Sequence, residues 1–191
     1  MSNSKLFREI KKAVFLDRDG TINVEKEYLY KPEEFEFTPG AVEAIRLLNL
    51  AGYLVIVVTN QSGVARGYYT EADVVRLHQY IDGLLQAAGA RVDAWYYCPH
   101  HTAGMSPYDQ ACDCRKPLPG MLQQAAAEHA IDLSCSWMVG DKVADIAAGR
   151  SAGCRTVLVL TGYGAVDRLK LPVGQLCCPD LLSAARMVTA V

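Results

Sequence analysis

The sequence has no long apolar run. Its most apolar stretch, residues 54–58 (LVIVV), is five residues long, where a helix crossing a bilayer needs about 20. Charge of one sign is also missing: 19 basic and 21 acidic side chains leave a net charge of −2. That is too little to draw the chain to nucleic acid or to an anionic membrane. No basic tract with interleaved aromatics is present, which argues against processing of nucleic-acid ends. Internal repeats and low-complexity tracts are absent. Residues 1–12 are polar and charged with no apolar signal core behind them, so the cytoplasm is the expected compartment.

What is present is ordinary in bulk. A chain of 191 residues, 51% hydrophobic and 21% charged, is the size and composition of one soluble domain with a full core. Seven cysteines are an odd number and cannot all pair within the chain. Metal binding or reduced core thiols therefore fit better than a disulfide framework.

The stretch AVFLDRDGT (13–21) organises the rest. Four apolar residues without alternation predict a strand buried on both faces of a parallel sheet. They end in Asp17 and Asp19, two carboxylates at the end of a strand where open α/β sheets bind ligands. Burying that charge is costly unless a cation or a reaction compensates it.

Beyond it, residues 22–38 read as a loop, and Pro39-Gly40 introduce a helix over 41–50 ended by Gly52. Residues 54–58 predict a second buried strand, running into Thr59-Asn60-Gln61-Ser62. Thr70 reads as the cap of a helix to about residue 88. Further strands are predicted over 92–97, 136–139 and 156–160, and helices over 119–130, from Asp145, and over 180–188. Gly162-Tyr163-Gly164 reads as a turn. Alternation of strand and helix predicts an α/β, doubly wound, mainly parallel sheet with right-handed crossovers. Three strand ends carry polar clusters, at Asp17/Asp19, Thr59/Asn60 and Gly140/Asp141, which would gather at one edge.

A second constellation is Cys98-Pro99-His100-His101 followed by Cys112-Asp113-Cys114, with eleven residues between His100 and Cys112. Three thiolates and one imidazole make a closed tetrahedral set, which predicts a structural zinc ion stapling the loop and placing Arg115 and Lys116. His100 and His101 are both candidate imidazoles. Cys135, Cys154, Cys177 and Cys178 lack ligand spacing and read as small core residues. His78 and His129 fall within helical patterns and read as surface or packing residues.

The set LDRDGT (16–21), VVTNQSG (57–63), CRKP (114–117) and VGDKVAD (139–145) resembles the four motifs of the haloacid dehalogenase-like phosphatases, in that family's order and across nearly the whole chain. The resemblance implies that Asp17 is a nucleophile forming an aspartyl-phosphate and Asp19 a general acid and base. It implies Mg²⁺ held by Asp17, the carbonyl of Asp19 and Asp141, offsetting the charge of a phosphomonoester. Asp145, one helical turn on, would join through water or orient Lys142. Thr59 and Lys116 would stabilise the transferring phosphoryl oxygens. The gaps between motifs leave no room for a separate cap domain, so specificity would come from loops.

DRDGTINVEKEYLY (17–30), TNQSGVARGYYTE (59–71), YYCPHH (96–101) and CDCRKPLPGM (112–121) are similar to the heptose bisphosphate and histidinol phosphate phosphatases within that family. The family pattern selects His100 as the fourth zinc ligand. It implies hydrolysis of the C7 phosphate of a heptose bisphosphate, the beta anomer favoured, by a monomeric enzyme of bacterial surface-glycan synthesis. Histidinol phosphate is the alternative substrate; a zinc-stapled module without catalysis would need a broken motif, and none is seen. Glu25, Lys26, Glu27, Tyr28, Thr59, Asn60, Gln61, Ser62, Arg115, Lys116 and Lys142 would line the substrate site, with the planar fork of Arg115 gripping a second phosphate. Glu25-Lys26-Glu27 departs from the usual Asp-His-Gly of that loop, a difference that bears on the fit to the sugar.

Overall fold

Strands β1 (Ala13–Leu16), β2 (Leu54–Asn60), β3 (Ala94–Cys98), β4 (Trp137–Gly140), β5 (Arg155–Val159) and β6 (Cys177–Cys178) form one sheet in the computed structural model, which describes residues 11–190. The charged N-terminal stretch lies outside the described residues up to position 10. Every pairing is parallel, and the strand order is β3-β2-β1-β4-β5-β6. The connections carry α1 (Ala41–Leu50), α2 (Glu71–Ala87), α3 (Gly120–His129), α4 (Val143–Ala152), the short α5 (Gly164–Asp167) and α6 (Leu181–Thr189).

The apolar runs behave as their composition dictates. All four residues of β1 are buried, because alternate side chains feed two different cores. Val14 and Leu16, with Val55 and Val57 of β2, pack under α1, α2 and α6. Phe15, Ile56, Val58 and Met138 face the opposite way, onto Met121, Leu122 and Ala125 of α3 and Ala148 of α4. Helices on both faces leave a strand no solvent side, which is why it reads as a continuous hydrophobic run. Each large aliphatic side chain so buried contributes about 1.5–3 kcal/mol.

β1 is the strand at which the order turns. Leu16 stands level with Val57 on one side and Val139 on the other. The residues that follow each of the three therefore emerge together at the crevice where such sheets bind ligands.

Most elements lie within one or two residues of expectation. Thr70 caps α2 reciprocally: its Oγ1 accepts from Asp73 N (3.2 Å) and Asp73 Oδ2 accepts from Thr70 N (2.8 Å). β3 begins at Ala94 rather than 92, because the Asp93 side chain takes the Val55 N–H (2.8 Å) that a ladder carbonyl would otherwise accept. The two-residue strand β6 was not expected; it follows a loop and ends at Pro179. The turn at Gly162-Tyr163-Gly164 opens directly into α5. Between β1 and α1 the chain holds one 3-10 turn, Pro32–Glu34, and between β3 and α3 no regular element, so no cap domain is inserted. Cys154 and Cys178 are buried and Cys177 half-buried, but Cys135 is exposed, against the expectation of a core thiol. It sits in the Asp132 turn, where Sγ donates to the carboxylate (3.5 Å). No described helix is long and apolar enough to cross a membrane.

Candidate active site

Asp17 directly follows β1 and extends its pairing, its N–H donating to the Val139 carbonyl (3.0 Å). Asp141 follows β4, and Asp145 lies in the first turn of α4. One carboxylate oxygen from each of the three lies within 4.8 Å of the others, and all three side chains are buried. Asp141 Oδ2 accepts from Tyr163 N (2.8 Å), whereas its Oδ1 has no partner among the described residues. Burial first, and the Asp17 carboxylate second, push the Asp141 carboxyl up to about 8. A buried, unpartnered carboxylate oxygen beside a second acid is the environment a hard divalent cation relieves, and the oxygen donors suit Mg²⁺. Backbone closes around it: a Cβ on Gly20 or Gly162 would lie 2.3 or 2.2 Å from Asp141 Oδ2.

Lys116 reaches this cluster from the cysteine-rich loop. Its Nζ lies 2.8 Å from Asp17 Oδ1 and 2.6 Å from Asp145 Oδ1, and donates to the Val58 carbonyl (2.8 Å). Burial alone would lower its pKa; the Asp145 and Asp17 carboxylates outweigh it and hold the ammonium above its ordinary range. Asp145 thus sets Lys116, and its other oxygen accepts from the Lys142 N–H (2.9 Å), the backbone of that residue and not its side chain. Burial raises the Asp145 carboxyl to about 6 against the opposing pull of Lys116.

Asp19 is gripped from several sides. Arg18 Nη2 donates to both of its oxygens (3.0 and 2.9 Å), with Asn23 Nδ2 and Gln61 Nε2 each at 3.0 Å. Burial raises its pKa, but the Arg18 charge and these bonds leave it below the ordinary carboxylate range. Gln61 Nε2 also donates to Thr59 Oγ1 (2.9 Å), so Thr59 is tied to Asp19 through one amide.

An open cavity of about 260 Å³ lies over these groups. Of the residues expected to line it, Glu25, Glu27, Tyr28, Asn60, Gln61, Ser62 and Lys142 do so, and Asp19 joins them. Lys142 Nζ pairs with Glu25 Oε2 (2.8 Å) and lies over the Tyr163 ring (4.8 Å). Burial would lower the Lys142 pKa, but the charges of Asp17 and Asp141 drive it upward. Lys26 does not line the cavity: its Nζ donates to the Glu34 carbonyl (2.8 Å) and pairs with Glu36 (3.2 Å). Arg115 also lies outside the lining, its Nη1 donating to the His100 carbonyl (3.3 Å). Thr59 and Lys116 are buried and also lie outside the lining, with Thr59 Oγ1 accepting from Gln61 and its hydroxyl hydrogen left free to donate.

Cys98, His100, Cys112 and Cys114 form a second cluster. Sγ of Cys112 lies 3.5 Å from that of Cys98 and 3.2 Å from that of Cys114, with His100 Nδ1 3.5 Å from Cys114 Sγ. Tetrahedral zinc with ordinary bond lengths separates sulfurs by about 3.8 Å and sulfur from nitrogen by about 3.6 Å. The donor set fits that ion. His101 is outside the cluster, near Arg66 (3.3 Å). The loop leads straight into Lys116, whose backbone is clamped by Asn60: Oδ1 accepts from Lys116 N (3.1 Å) and Nδ2 donates to Lys116 O (3.0 Å).

Sequence reasoning missed three roles: Asn60 as this clamp, Asp145 as the partner of Lys116, and Tyr69 and Tyr163 in the cavity wall. Tyr69 OH donates to Gln61 Oε1 (2.7 Å). The tyrosines carried no signal beyond sitting near polar strand ends.

A doubly wound sheet whose first strand ends in Asp-x-Asp, with a lysine and two further acids converging on it, defines a hydrolase of the haloacid dehalogenase-like class. Residues 113–184 match the family model described as HAD-hydrolase-like. The chain is 51% identical over 154 residues to the D-glycero-beta-D-manno-heptose-1,7-bisphosphate 7-phosphatase of Pasteurella multocida, covering 80% of this chain and 84% of that protein. To the Escherichia coli K12 protein of the same name it is 48% identical over 152 residues, 78% of this chain and 80% of that one. The crystal structure of D,D-heptose 1,7-bisphosphate phosphatase from B. bronchiseptica, complexed with magnesium and phosphate, superposes with a TM-score of 0.84 at 37% identity, covering 94% and 98% of the two chains. The chain belongs to the D-glycero-beta-D-manno-heptose-1,7-bisphosphate 7-phosphatase family.

Proposed function

We propose that this chain, acting as one cytoplasmic, monomeric domain, hydrolyses the C7 phosphate of D-glycero-beta-D-manno-heptose 1,7-bisphosphate. The observation that carries the reading is the Asp17 carboxylate, buried at the end of β1 with Lys116 Nζ 2.8 Å from one oxygen and Asp141 beside it. An oxygen of Asp17 attacks phosphorus and the bond from phosphorus to the C7 oxygen breaks; Asp19, ionised in the free site, takes up a proton as the negative charge of the phosphate arrives beside it and passes that proton to the leaving oxygen. Asp19 then takes a proton from water, whose oxygen attacks the phosphoryl group on Asp17. Inorganic phosphate leaves and the Asp17 carboxylate is restored. Lys116 and Thr59 donate to the phosphoryl oxygens as charge moves onto them.

Asp17, Asp141 and the Asp19 carbonyl would hold Mg²⁺, which supplies positive charge against the phosphate oxygens. Cys98, His100, Cys112 and Cys114 would hold zinc as a structural staple. Glu25, Tyr28, Ser62 and Lys142 contact the sugar phosphate. Arg115, half-buried and next to Lys116, supplies a fork for the second phosphate.

The test is phosphate release from both anomers of the bisphosphate and from histidinol phosphate, with Asp17→Asn as the control. Preference for the beta bisphosphate and a dead Asp17→Asn enzyme are expected. Equal efficiency with histidinol phosphate would remove the heptose assignment, and an active Asp17→Asn enzyme would remove the covalent route.

A further inference from the structure

Arg18 stands between the two carboxylates of the Asp17-Arg18-Asp19 run, yet its side chain turns inward and is fully buried. Nε and Nη2 donate to Asp19, and Nη2 also donates to the Leu29 carbonyl (2.9 Å) and to Gln61 Oε1 (3.3 Å). Nη1 has one hydrogen-bond partner among the described residues: Nε2 of His78, at 3.3 Å. A guanidinium only donates, so Arg18 is the donor here, His78 Nε2 is an unprotonated acceptor, and the ring proton sits on Nδ1.

His78 comes from the middle of α2, 60 positions along the chain from Arg18. Its ring is stacked on Trp95 of β3 (centroids 4.2 Å apart, planes at 20°) and meets Tyr97 edge-on at 6.0 Å. Trp95 is itself held by a bond from Nε1 to Asp82 Oδ1 (3.0 Å). A protonated ring would face the Arg18 cation. Burial first and that cation second bring the His78 pKa down to about 3, so the acceptor stays neutral.

We propose that His78 is a positioning residue: it anchors Nη1 of Arg18 and, through that guanidinium, fixes the direction in which the Asp19 carboxylate points. The proposal rests on the reading of Asp19 as proton donor to the leaving group. Nε and Nη2 hold the carboxylate from one edge of a rigid plane, and Nη1 is the far corner that stops the plane tilting. With the acceptor gone, the buried Nη1 N–H that pairs with His78 loses its partner and the guanidinium re-aims to find another, carrying Asp19 with it. Small displacements of a reacting group have large kinetic effects.

His78→Phe keeps a ring on Trp95 and removes the acceptor; His78→Gln offers an acceptor again. The sensitive measurement is kcat/KM for two leaving groups, the heptose bisphosphate, whose alkoxide needs a proton, and p-nitrophenyl phosphate, whose phenolate does not. For His78→Phe we expect a fall of about tenfold with the bisphosphate, KM within about twofold, and less than about twofold change with p-nitrophenyl phosphate. His78→Gln should recover the bisphosphate reaction to within about threefold of wild type. General structural damage would lower both substrates alike. Asp19→Asn is the reference and should show the same selectivity more strongly. If Asp19→Asn shows none, the proton-donor reading falls and takes the proposal with it. If Asp19→Asn does and His78→Phe does not, the proposal alone is overturned. Long-range proton–nitrogen NMR of the wild-type protein gives a reading that needs neither activity nor a variant: His78 should stay neutral with its proton on Nδ1 between pH 8 and pH 5, and a proton on Nε2 would overturn the geometry.

Discussion

Lys116 Nζ and Asp145 Oδ1 meet at 2.6 Å with both side chains almost wholly sealed from solvent. Lys116 is thereby fixed from behind by α4 while it faces Asp17 in front. Asp145→Asn keeps an acceptor in place but removes the charge that holds the ammonium. Asp17 and the Val58 carbonyl remain as partners, so the fold survives and Lys116 shifts toward them. We expect kcat to fall on the order of tenfold, with KM within about threefold, since an aimed donor matters chiefly in the transition state. Steady-state kinetics alongside a melting curve check this; a KM effect without a kcat effect would place Lys116 in substrate binding instead.

Asp141 makes a prediction about pH. Its folded-state carboxyl is raised to about 8 from an ordinary 3.8, with burial the main cause. Between those values the folded protein keeps a proton that the unfolded chain has released, so this group's contribution to stability is lost as pH rises through that window. Asp141→Asn has no such charge. In metal-free protein near pH 7.5 it should be more stable than wild type by about 1–2 kcal/mol, or roughly 4 °C, with a flatter dependence on pH. Adding Mg²⁺ should raise the melting temperature of wild type and not of the variant, whose phosphatase activity is lost. A variant that melts below wild type at pH 7.5 would count against the strained carboxylate.

The carboxylates and the Cys/His cluster were legible in the sequence because each is announced by its neighbours. Asp17 and Asp141 directly follow buried runs, so their place at the strand ends follows from the runs. Cys98, His100, Cys112 and Cys114 carry ligand spacing. What could not be read were contacts between elements remote in sequence. Asp145 pairs with Lys116 only because α4 and the cysteine-rich loop converge on Asp17. His78 sits in an unremarkable helical pattern, and nothing local says that Arg18 points toward it. Lys26 was placed in the substrate loop by its neighbours, but its long side chain turns outward to Glu34 and Glu36. β6 was missed because two residues are too short to show any period.

The Cys/His cluster, if it holds zinc as proposed, should control catalysis through position alone. Cys114 is followed directly by Arg115 and Lys116, and Asn60 clamps the Lys116 backbone from the strand side. Cys112→Ser removes one thiolate from a closed set. We expect bound zinc to drop below about half an equivalent and a melting temperature lower by several degrees. A fall in kcat of tenfold or more should follow, as Lys116 loses one of its two supports. Metal analysis of protein purified without chelator, with kinetics at saturating Mg²⁺, checks all three. Full activity in a zinc-depleted variant would show that Asn60 positions the lysine unaided.

The rim of the cavity carries a conformational cost. Glu27 and Tyr28 both have positive φ, 47° and 44°, a region in which a residue with a Cβ is disfavoured by roughly 1 kcal/mol or more. Glycine would adopt this conformation without that penalty, and this chain has Glu27 there instead. Glu27 is tied by its N–H to Glu25 Oε1 (3.0 Å), and Glu25 in turn to Lys142 (2.8 Å), so the strained turn holds the acid–lysine pair over the cavity. Tyr28 packs edge-on against Tyr68, centroids 4.8 Å apart, which keeps the turn closed. Glu27→Gly relieves the strain while leaving the backbone bond to Glu25 possible. Its unfolding free energy should rise by about 0.5–1 kcal/mol, less the added freedom of glycine in the unfolded chain. Removing a carboxylate from the wall of a site for a dianionic phosphate should also lower KM by about two- to threefold at low salt, and by less at high salt as screening takes over. Urea unfolding and KM measured at two ionic strengths test the two halves separately. A KM that rises would mean that Glu27 binds the sugar hydroxyls directly.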